Sequence, residues 1–191
     1  MPLAKSIIRL ALGTAFLLLI PLVAMQFTQE VKWNWVDFVA AGSLLFGTGL
    51  TYLVIAQKGN GTMYRVAVGV AVAAGLLLVW ANLAVGLVGS EHNPANLLYG
   101  GVLAVAIIGA LAARLRPLGM SRAMFAAALT YVVVTAIALF LWTPSAATAE
   151  APVGLPNVIG ANALFAALWA TAGWLFRLAG RTGSNVSRRL A

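Results

Sequence analysis

The amino-acid sequence predicts an all-α membrane protein with six transmembrane helices, arranged as three hairpins that open to the outside. Three observations lead to this fold class. Of the 191 residues, 62% are hydrophobic and only 8% are charged, whereas a soluble domain carries about 25% charged residues. Six apolar segments reach the length of about 20 residues that a helix needs to cross the hydrocarbon core. The basic residues also concentrate on alternate connections between these segments.

Each apolar segment is predicted to be a helix, because a lone strand in lipid would leave its backbone amides unpaired. A membrane β-barrel would instead need shorter segments of alternating polarity. The predicted spans, in chain order, are Ile7–Phe27, Trp35–Ala56, Met63–Gly89, Ala95–Ala113, Arg122–Trp142 and Val158–Leu178.

The N-terminal stretch carries two basic residues, Lys5 and Arg9, ahead of its long apolar run, and so resembles a secretory signal peptide at first sight. Its apolar run is too long for a signal core, and no clear small-x-small cleavage site follows it. We therefore interpret it as the first membrane helix, and we expect Pro21 to kink it.

The second span opens at Trp35 and carries Asp37 in its first turn. The third span carries Asn82 about two turns from its end. An acid inside a membrane helix is costly at the bilayer centre, but the cost is much smaller near the interface. Asp37 is therefore open to two interpretations. It is either a functional group, or an interfacial carboxylate that hydrogen-bonds Asn82 or a helix N-terminus.

The connection to the fourth span contains the stretch GSEHNPAN, with the only histidine of the chain. Proline suits the first turn of a helix, where its missing N–H is not needed. This predicts that Pro94 opens the next helix with Asn93 as its N-cap. A plain hairpin leaves Glu91 and His92 unexplained, and together these two side chains could bind a cation or act as an acid and a base.

The fifth span carries Thr130, Tyr131 and Thr135 near mid-bilayer, and the sixth carries Asn162 one turn from its start. Tyrosines near predicted helix ends, including Tyr64 and Tyr99, fit the aromatic belts found at membrane surfaces.

Charge placement predicts the orientation of the chain. Eleven of the twelve basic residues fall on one side, while Lys32 and all four acids fall on the other. The positive-inside rule then places both termini in the cytoplasm. We expect the arginines beside the membrane to contact anionic lipid headgroups. These are Arg114, Arg116, Arg122, Arg177 and Arg181.

Short loops predict one six-helix domain over residues 1–191. Small residues recur four apart, for example Gly109 and Ala113, and such pairs let helices approach closely in lipid. We favour packing inside one bundle as their role, with homo-oligomerisation as the alternative.

Composition excludes several classes of protein. The absence of cysteine excludes disulfides, thiolate metal sites and cysteine nucleophiles. A single histidine excludes a bis-histidine haem and a three-histidine zinc site within one chain. The net charge of +8 is scattered between apolar runs and does not form the basic face that nucleic-acid binding needs. We therefore expect no cofactor, no metal and no nucleic-acid partner.

Several polar residues fall in the predicted outer third of the membrane and suggest an outward-facing ligand pocket with a lid. The candidate lining residues are Asp37, Asn82, Asn96 and Asn162, with Glu91 and His92 in the lid. The plainer interpretation is interhelical hydrogen bonding and an ordinary hairpin.

The stretch from Val79 to Met120, which includes GSEHNPAN, resembles a family of small bacterial membrane proteins with six helices. That resemblance extends over most of the chain and implies a bacterial inner-membrane protein. It implies no activity.

Three functions remain open on the sequence. The favoured one is a non-enzymatic accessory or scaffold subunit that acts through protein or lipid contacts, with a membrane-protein partner or as a homo-oligomer. The alternative is a small-solute transporter or binding protein that uses the pocket around Asp37 and Asn82. A lipid-active enzyme with Glu91 and His92 as acid and base is least favoured, because it lacks a nucleophile or metal site.

Overall fold

The structure, a computed structural model, describes residues 3–59, 61–88, 92–141 and 155–189. In this part of the chain, six helical segments are long and apolar enough to cross a membrane, and no strand is found. The predicted class, an all-α protein with six membrane-spanning helices, is therefore confirmed. The helices are α1 (Leu3–Phe27), α2 (Trp35–Ala56), α3 (Thr62–Ala84), α4 (Gly100–Ala112), α5 (Pro117–Leu141) and α6 (Leu155–Arg189).

The predicted boundary is wrong at the end of the third span, which the sequence extended to Gly89. Helix α3 instead stops at Ala84. Gly86 adopts a left-handed conformation with φ of 72°, and its N–H donates to the carbonyl of Ala81 at 3.0 Å. A left-handed glycine directly after the C-cap residue is a common ending of a helix. The fourth span likewise begins as a 3-10 helix, Pro94–Tyr99, and continues as α4.

Contacts divide the chain into two compact units, residues 1–55 and 56–191, and each unit is described by itself. The first unit is the hairpin of α1 and α2. A side chain at Gly49 would strike Leu10, and one at Gly42 would touch Leu18. The contact residue of α1 moves toward its C-terminus, from Leu10 to Leu18, as that of α2 moves toward its N-terminus, so the two helices are antiparallel. Within residues 3–55, only Thr14 and Ala41 are buried.

The second unit contains α3 to α6 and has a continuous core. Helix α5 packs against α4 and α6, and α3 packs against α6. Large side chains that are fully buried in this core include Tyr64, Tyr99, Tyr131, Phe176 and Leu78. The predicted packing of small residues inside a bundle is confirmed between α4 and α5. A Cβ added to Gly109 would lie 2.7 Å from that of Ala123, and one added to Gly119 would lie 2.6 Å from that of Ala113.

Candidate functional site

The most connected polar side chain in the four-helix unit is Asn162, near the start of α6. It is 3% exposed, and its amide oxygen accepts hydrogen bonds from three hydroxyls of two other segments. The donors are Tyr99 at 2.7 Å, Tyr131 at 3.1 Å and Thr135 at 3.2 Å. Tyr99 belongs to the 3-10 helix, and the other two belong to α5. One amide therefore ties three segments of the unit together.

The amide nitrogen of Asn162 is used as fully as its oxygen. It donates to the carbonyl of Leu87 at 3.2 Å and to the carbonyl of Val158, one turn earlier in α6, at 2.8 Å. An amide NH2 has two donor hydrogens, and both have partners here. The amide oxygen and nitrogen of Asn162 thus both have hydrogen-bond partners within the protein.

Asn96 completes the support of the backbone that leaves α3. Its side-chain oxygen accepts from the backbone N–H groups of Leu87 at 2.9 Å and Val88 at 3.0 Å. Leu87 therefore has its N–H held by Asn96 and its carbonyl held by Asn162. We call the two asparagines, together with Leu87, the asparagine clamp. Non-helical backbone inside a membrane protein must find such partners, because lipid offers none.

Asn93 and Pro94 begin the next helical segment as the sequence predicted. Asn93 is the N-cap of the 3-10 helix, and its side chain accepts from the N–H of Ala95 at 2.9 Å, with Pro94 in the first turn. His92 is exposed. Glu91 lies outside the described residues. The proposed acid–base or cation-binding pair of Glu91 and His92 therefore stays a prediction.

Asp37 has a local partner in the α1–α2 hairpin. Its carboxylate accepts from the N–H of Asn34 at 2.8 Å, and the Asn34 side chain accepts in return from the N–H of Val36 at 2.7 Å and of Asp37 at 3.3 Å. This reciprocal pattern is a capping box, which satisfies the free N–H groups at a helix start. It accounts for an acid in the first turn of α2 without a ligand.

The predicted ligand pocket is brought together only in part. Asn96 and Asn162 meet at Leu87, whereas Asn82 is half-buried in the last turn of α3. Asp37 belongs to the other unit. A pocket that joins these residues to Glu91 stays a prediction.

The predicted lipid-contacting arginines lie around one end of the four-helix unit. The hydroxyl of Tyr64, at the start of α3, donates to the carbonyl of Leu115 in the α4–α5 turn at 2.8 Å. The Tyr64 ring also packs edge-on against Phe176 of α6, with 5.4 Å between ring centroids. These contacts bring the neighbouring arginines to the same end. All five are exposed: Arg114, Arg116, Arg122, Arg177 and Arg181.

Two tyrosines correct the sequence interpretation. Tyr64 and Tyr99 were expected in aromatic belts at the membrane surface, but they are 1% and 0% exposed and lie in the core. Each donates its hydroxyl to a partner inside the unit. A tyrosine near a helix end suits either a membrane-surface belt or a hydrogen-bonded place in the core, because its ring is apolar and its hydroxyl is polar. The pairing of Tyr99 with Asn162 spans 63 residues, and no local pattern signals it.

One buried polar group among the described residues has no hydrogen-bond partner, the indole N–H of Trp169 in α6. The ring edge lies beside Gly75 of α3, where an added Cβ would be 4.0 Å from it.

No family model, curated protein or solved structure matches this chain. Its function is therefore argued from its own residues. What the clamp can do is plain from its bonds: it fixes the backbone after α3 to α6 and the 3-10 helix.

Proposed function

We propose that this multi-pass membrane protein is a non-enzymatic accessory or scaffold subunit that acts through protein or lipid contacts. In this proposal the α1–α2 hairpin is the contact element, and the four-helix unit is the stable anchor. We further propose that it belongs to the bacterial inner membrane with both termini in the cytoplasm, as the charge distribution along the sequence supports.

The observation that carries the proposal is the exposure of most of the circumference of α1, everywhere except the stripe that faces α2. Leu12, Phe16 and Ile20 are 66%, 69% and 62% exposed within the structure. Residues 11–13 and 15–17 are exposed without interruption. Because successive helix residues point about 100° apart, such runs expose all but the narrow face that carries the buried Thr14. A helix of this kind in a membrane presents its surface to lipids or to another protein chain.

The asparagine clamp supports the same proposal from the other unit. A solute-binding site needs a few polar groups placed to bind the ligand. Asn96 and Asn162 instead hold the backbone at Leu87, and leaving those buried groups unpaired would cost about 1–3 kcal/mol each. These asparagines are accounted for by a structural role.

Photo-crosslinking in the native membrane tests the contact element. A photoreactive residue replaces Phe16 in α1 or, as the matched control, Leu129 in α5, which is 66% exposed. We expect the probe at position 16 to capture one protein in stoichiometric amount, or a second copy of this chain, and the probe at position 129 to capture only lipid. Equal lipid labelling at both positions, with no protein captured, would contradict a protein-contact role for the hairpin.

Native mass spectrometry of the gently extracted protein separates this proposal from the solute-transporter alternative. Retention of a small solute, lost in Asp37→Asn, would favour the pocket around Asp37 and Asn82. The variant is suited to this test because an asparagine keeps the side-chain acceptor of the capping box and removes only the charge.

A further inference from the structure

A groove on the α1–α2 hairpin has the lining expected for a phosphate-bearing lipid. We propose that it binds the phosphate group of a membrane phospholipid, with the start of the acyl region beside it. The inference builds on the proposed function, since it names one partner of the contact element, and it concerns residues that the sequence analysis did not assign to a site.

The groove lies between the first turns of α1 and the last turns of α2, and its volume is about 350 Å3. Ligand sites in proteins commonly range from about 300 to 1,000 Å3, so the space suits a phosphate and its neighbouring glycerol. Its lining residues are Ser6, Arg9, Leu10, Gly49, Tyr52 and Leu53.

Helix periodicity explains how these six residues share one groove. Ser6 and Arg9 are three apart on α1, and Tyr52 is three residues beyond Gly49 on α2, so each pair lies on one helix face. A side chain at Gly49 would strike Leu10. The two helices therefore approach closely at this point, and Arg9 and Tyr52 line the groove beside that contact.

The polar part of the lining matches the chemistry of a phosphate diester. A guanidinium binds phosphate through charge-assisted hydrogen bonds, often two in parallel. It has five N–H donors, so Arg9 can keep a partner within the protein and still bind a ligand. The hydroxyls of Ser6 and Tyr52, which also line the groove, are two further hydrogen-bond donors.

The charges of the hairpin favour an anion at this end. Among residues 3–55, the other charged side chains are Lys5, Glu30, Lys32 and Asp37. Lys5 lies one turn from Arg9 on α1, whereas both acids lie near the opposite end of the antiparallel pair. Among the charged side chains of residues 3–55, those near the groove are thus both basic, and neither carboxylate lies beside it.

The apolar part of the lining distinguishes a lipid from free phosphate, which share the same anionic group. Leu10 and Leu53 are half-buried and border the groove. An acyl ester can lie against them, whereas inorganic phosphate gains nothing from that contact. Arg9 is the seventh residue of α1, about 9 Å from its first residue at 1.5 Å per residue, which is within reach of a headgroup.

Native mass spectrometry from nanodiscs tests the site on the full chain. The nanodiscs contain equal amounts of phosphatidylglycerol and phosphatidylcholine, and the bound lipid is counted for the wild type, Arg9→Gln and Tyr52→Phe. The control is Arg65→Gln, which removes an exposed arginine of α3. We expect about a tenfold loss of bound lipid for Arg9→Gln, equivalent to about 1.4 kcal/mol, a smaller loss for Tyr52→Phe and none for the control. Circular dichroism establishes that each variant is folded.

Delipidated protein incubated with inorganic phosphate provides the second arm. Retention of phosphate with no phospholipid bound from nanodiscs would overturn the lipid assignment, and so would equal lipid counts in the wild type and Arg9→Gln. Loss of a protein partner in Arg9→Gln at unchanged lipid count would also overturn it, since it would mean that the groove binds a protein carboxylate. Crosslinking from position 16 is scored separately, so the contact proposal and the lipid site can fail independently.

Discussion

The hairpin of α1 and α2 and the unit of α3 to α6 are both made of strongly apolar helices, but these helices are buried to different extents. The spans Leu3–Phe27 and Thr62–Ala84 have nearly the same mean hydropathy, yet 6% of the first and 28% of the second is buried within the structure. In lipid, apolar surface has no drive to leave its surroundings, so association depends on close packing and interhelical hydrogen bonds. The difference in burial therefore follows from packing and polar side chains and not from apolar content.

The four-helix unit has both close helix packing and interhelical hydrogen bonds, whereas the hairpin has a small amount of close packing. In the larger unit, Gly109 and Gly119 bring α4 and α5 into close contact, and the asparagine clamp joins the 3-10 helix, α3 and α6. In the hairpin, Gly49 admits Leu10, while its capping box at Asn34 and Asp37 is local to one helix start. Variants that remove these features one at a time test the comparison.

The largest effect is expected from Asn162→Leu in the four-helix unit. This change removes the acceptor of three hydroxyls and the donor to the Leu87 carbonyl, so several buried polar groups lose partners. We expect the free energy of unfolding to fall by about 2–4 kcal/mol, less than the full sum because membrane hydrogen bonds are individually modest. Unfolding in a mixed detergent series, followed by circular dichroism, measures the change.

The matched change in the hairpin is Thr14→Val, at the buried polar residue of α1. Its expected effect is within about 1 kcal/mol, because it replaces one hydroxyl by a methyl group of similar size. Equal losses for Thr14→Val and Asn162→Leu would mean that the hairpin is held as firmly as the larger unit.

The second effect concerns close helix packing and compares Gly109→Ala with Gly13→Ala. A Cβ at residue 109 would lie 2.7 Å from that of Ala123 and 3.3 Å from its Cα, so backbone must move, whereas one at residue 13 meets nothing within 4 Å. We expect Gly109→Ala to destabilise by about 1–3 kcal/mol. Gly13→Ala is expected to be neutral or stabilising by up to about 1 kcal/mol. Thermal unfolding of the two variants side by side decides the point, and a destabilised Gly13→Ala would contradict the open surroundings of α1.

The third effect concerns the turn between α4 and α5. Arg114 and Leu115 have φ values of 48° and 58°, a left-handed conformation that is costly for residues with a Cβ. The Tyr64 hydroxyl binds the Leu115 carbonyl, so Tyr64→Phe should cost about 0.5–1.5 kcal/mol. Leu115→Gly tests the strain separately, because glycine adopts this conformation freely. We expect the double variant Tyr64→Phe/Leu115→Gly to be more stable than Tyr64→Phe alone. A double variant that is less stable than Tyr64→Phe would argue against strain at Leu115.

The smallest effect is expected at the capping box of the hairpin. Asp37→Ala removes the acceptor for the Asn34 N–H and should cost about 0.5–1 kcal/mol, whereas Asp37→Asn keeps an acceptor and should cost less. Thermal unfolding of both variants measures the difference. A loss above about 2 kcal/mol for Asp37→Asn would show that the charge itself stabilises the hairpin beyond its helix cap.

Local sequence signals predicted the features that depend on neighbouring residues. Pro94 and Asn93 predicted the start of the 3-10 helix, since proline suits a first turn and asparagine caps it. The early end of α3 was missed, although Gly86 is a glycine ending of the usual kind, because the apolar run continues past it. Tyr64 and Tyr99 were assigned to membrane belts, since a tyrosine near a helix end looks the same whether its partner is a headgroup or a distant residue.

By itself the sequence determined the membrane class and the six spans, because the composition and lengths of the apolar runs set how much chain lipid must surround. Only the tertiary structure decided which polar residues meet. Asn96 and Asn162 converge on Leu87, and Tyr99 and Thr135 reach Asn162, across separations that no periodicity encodes. It also decided that α3 to α6 build a buried core, while most side chains of α1 and α2 remain exposed. That choice depends on the close fit of residues such as Gly109 and Ala123, which contact each other only after the helices have packed.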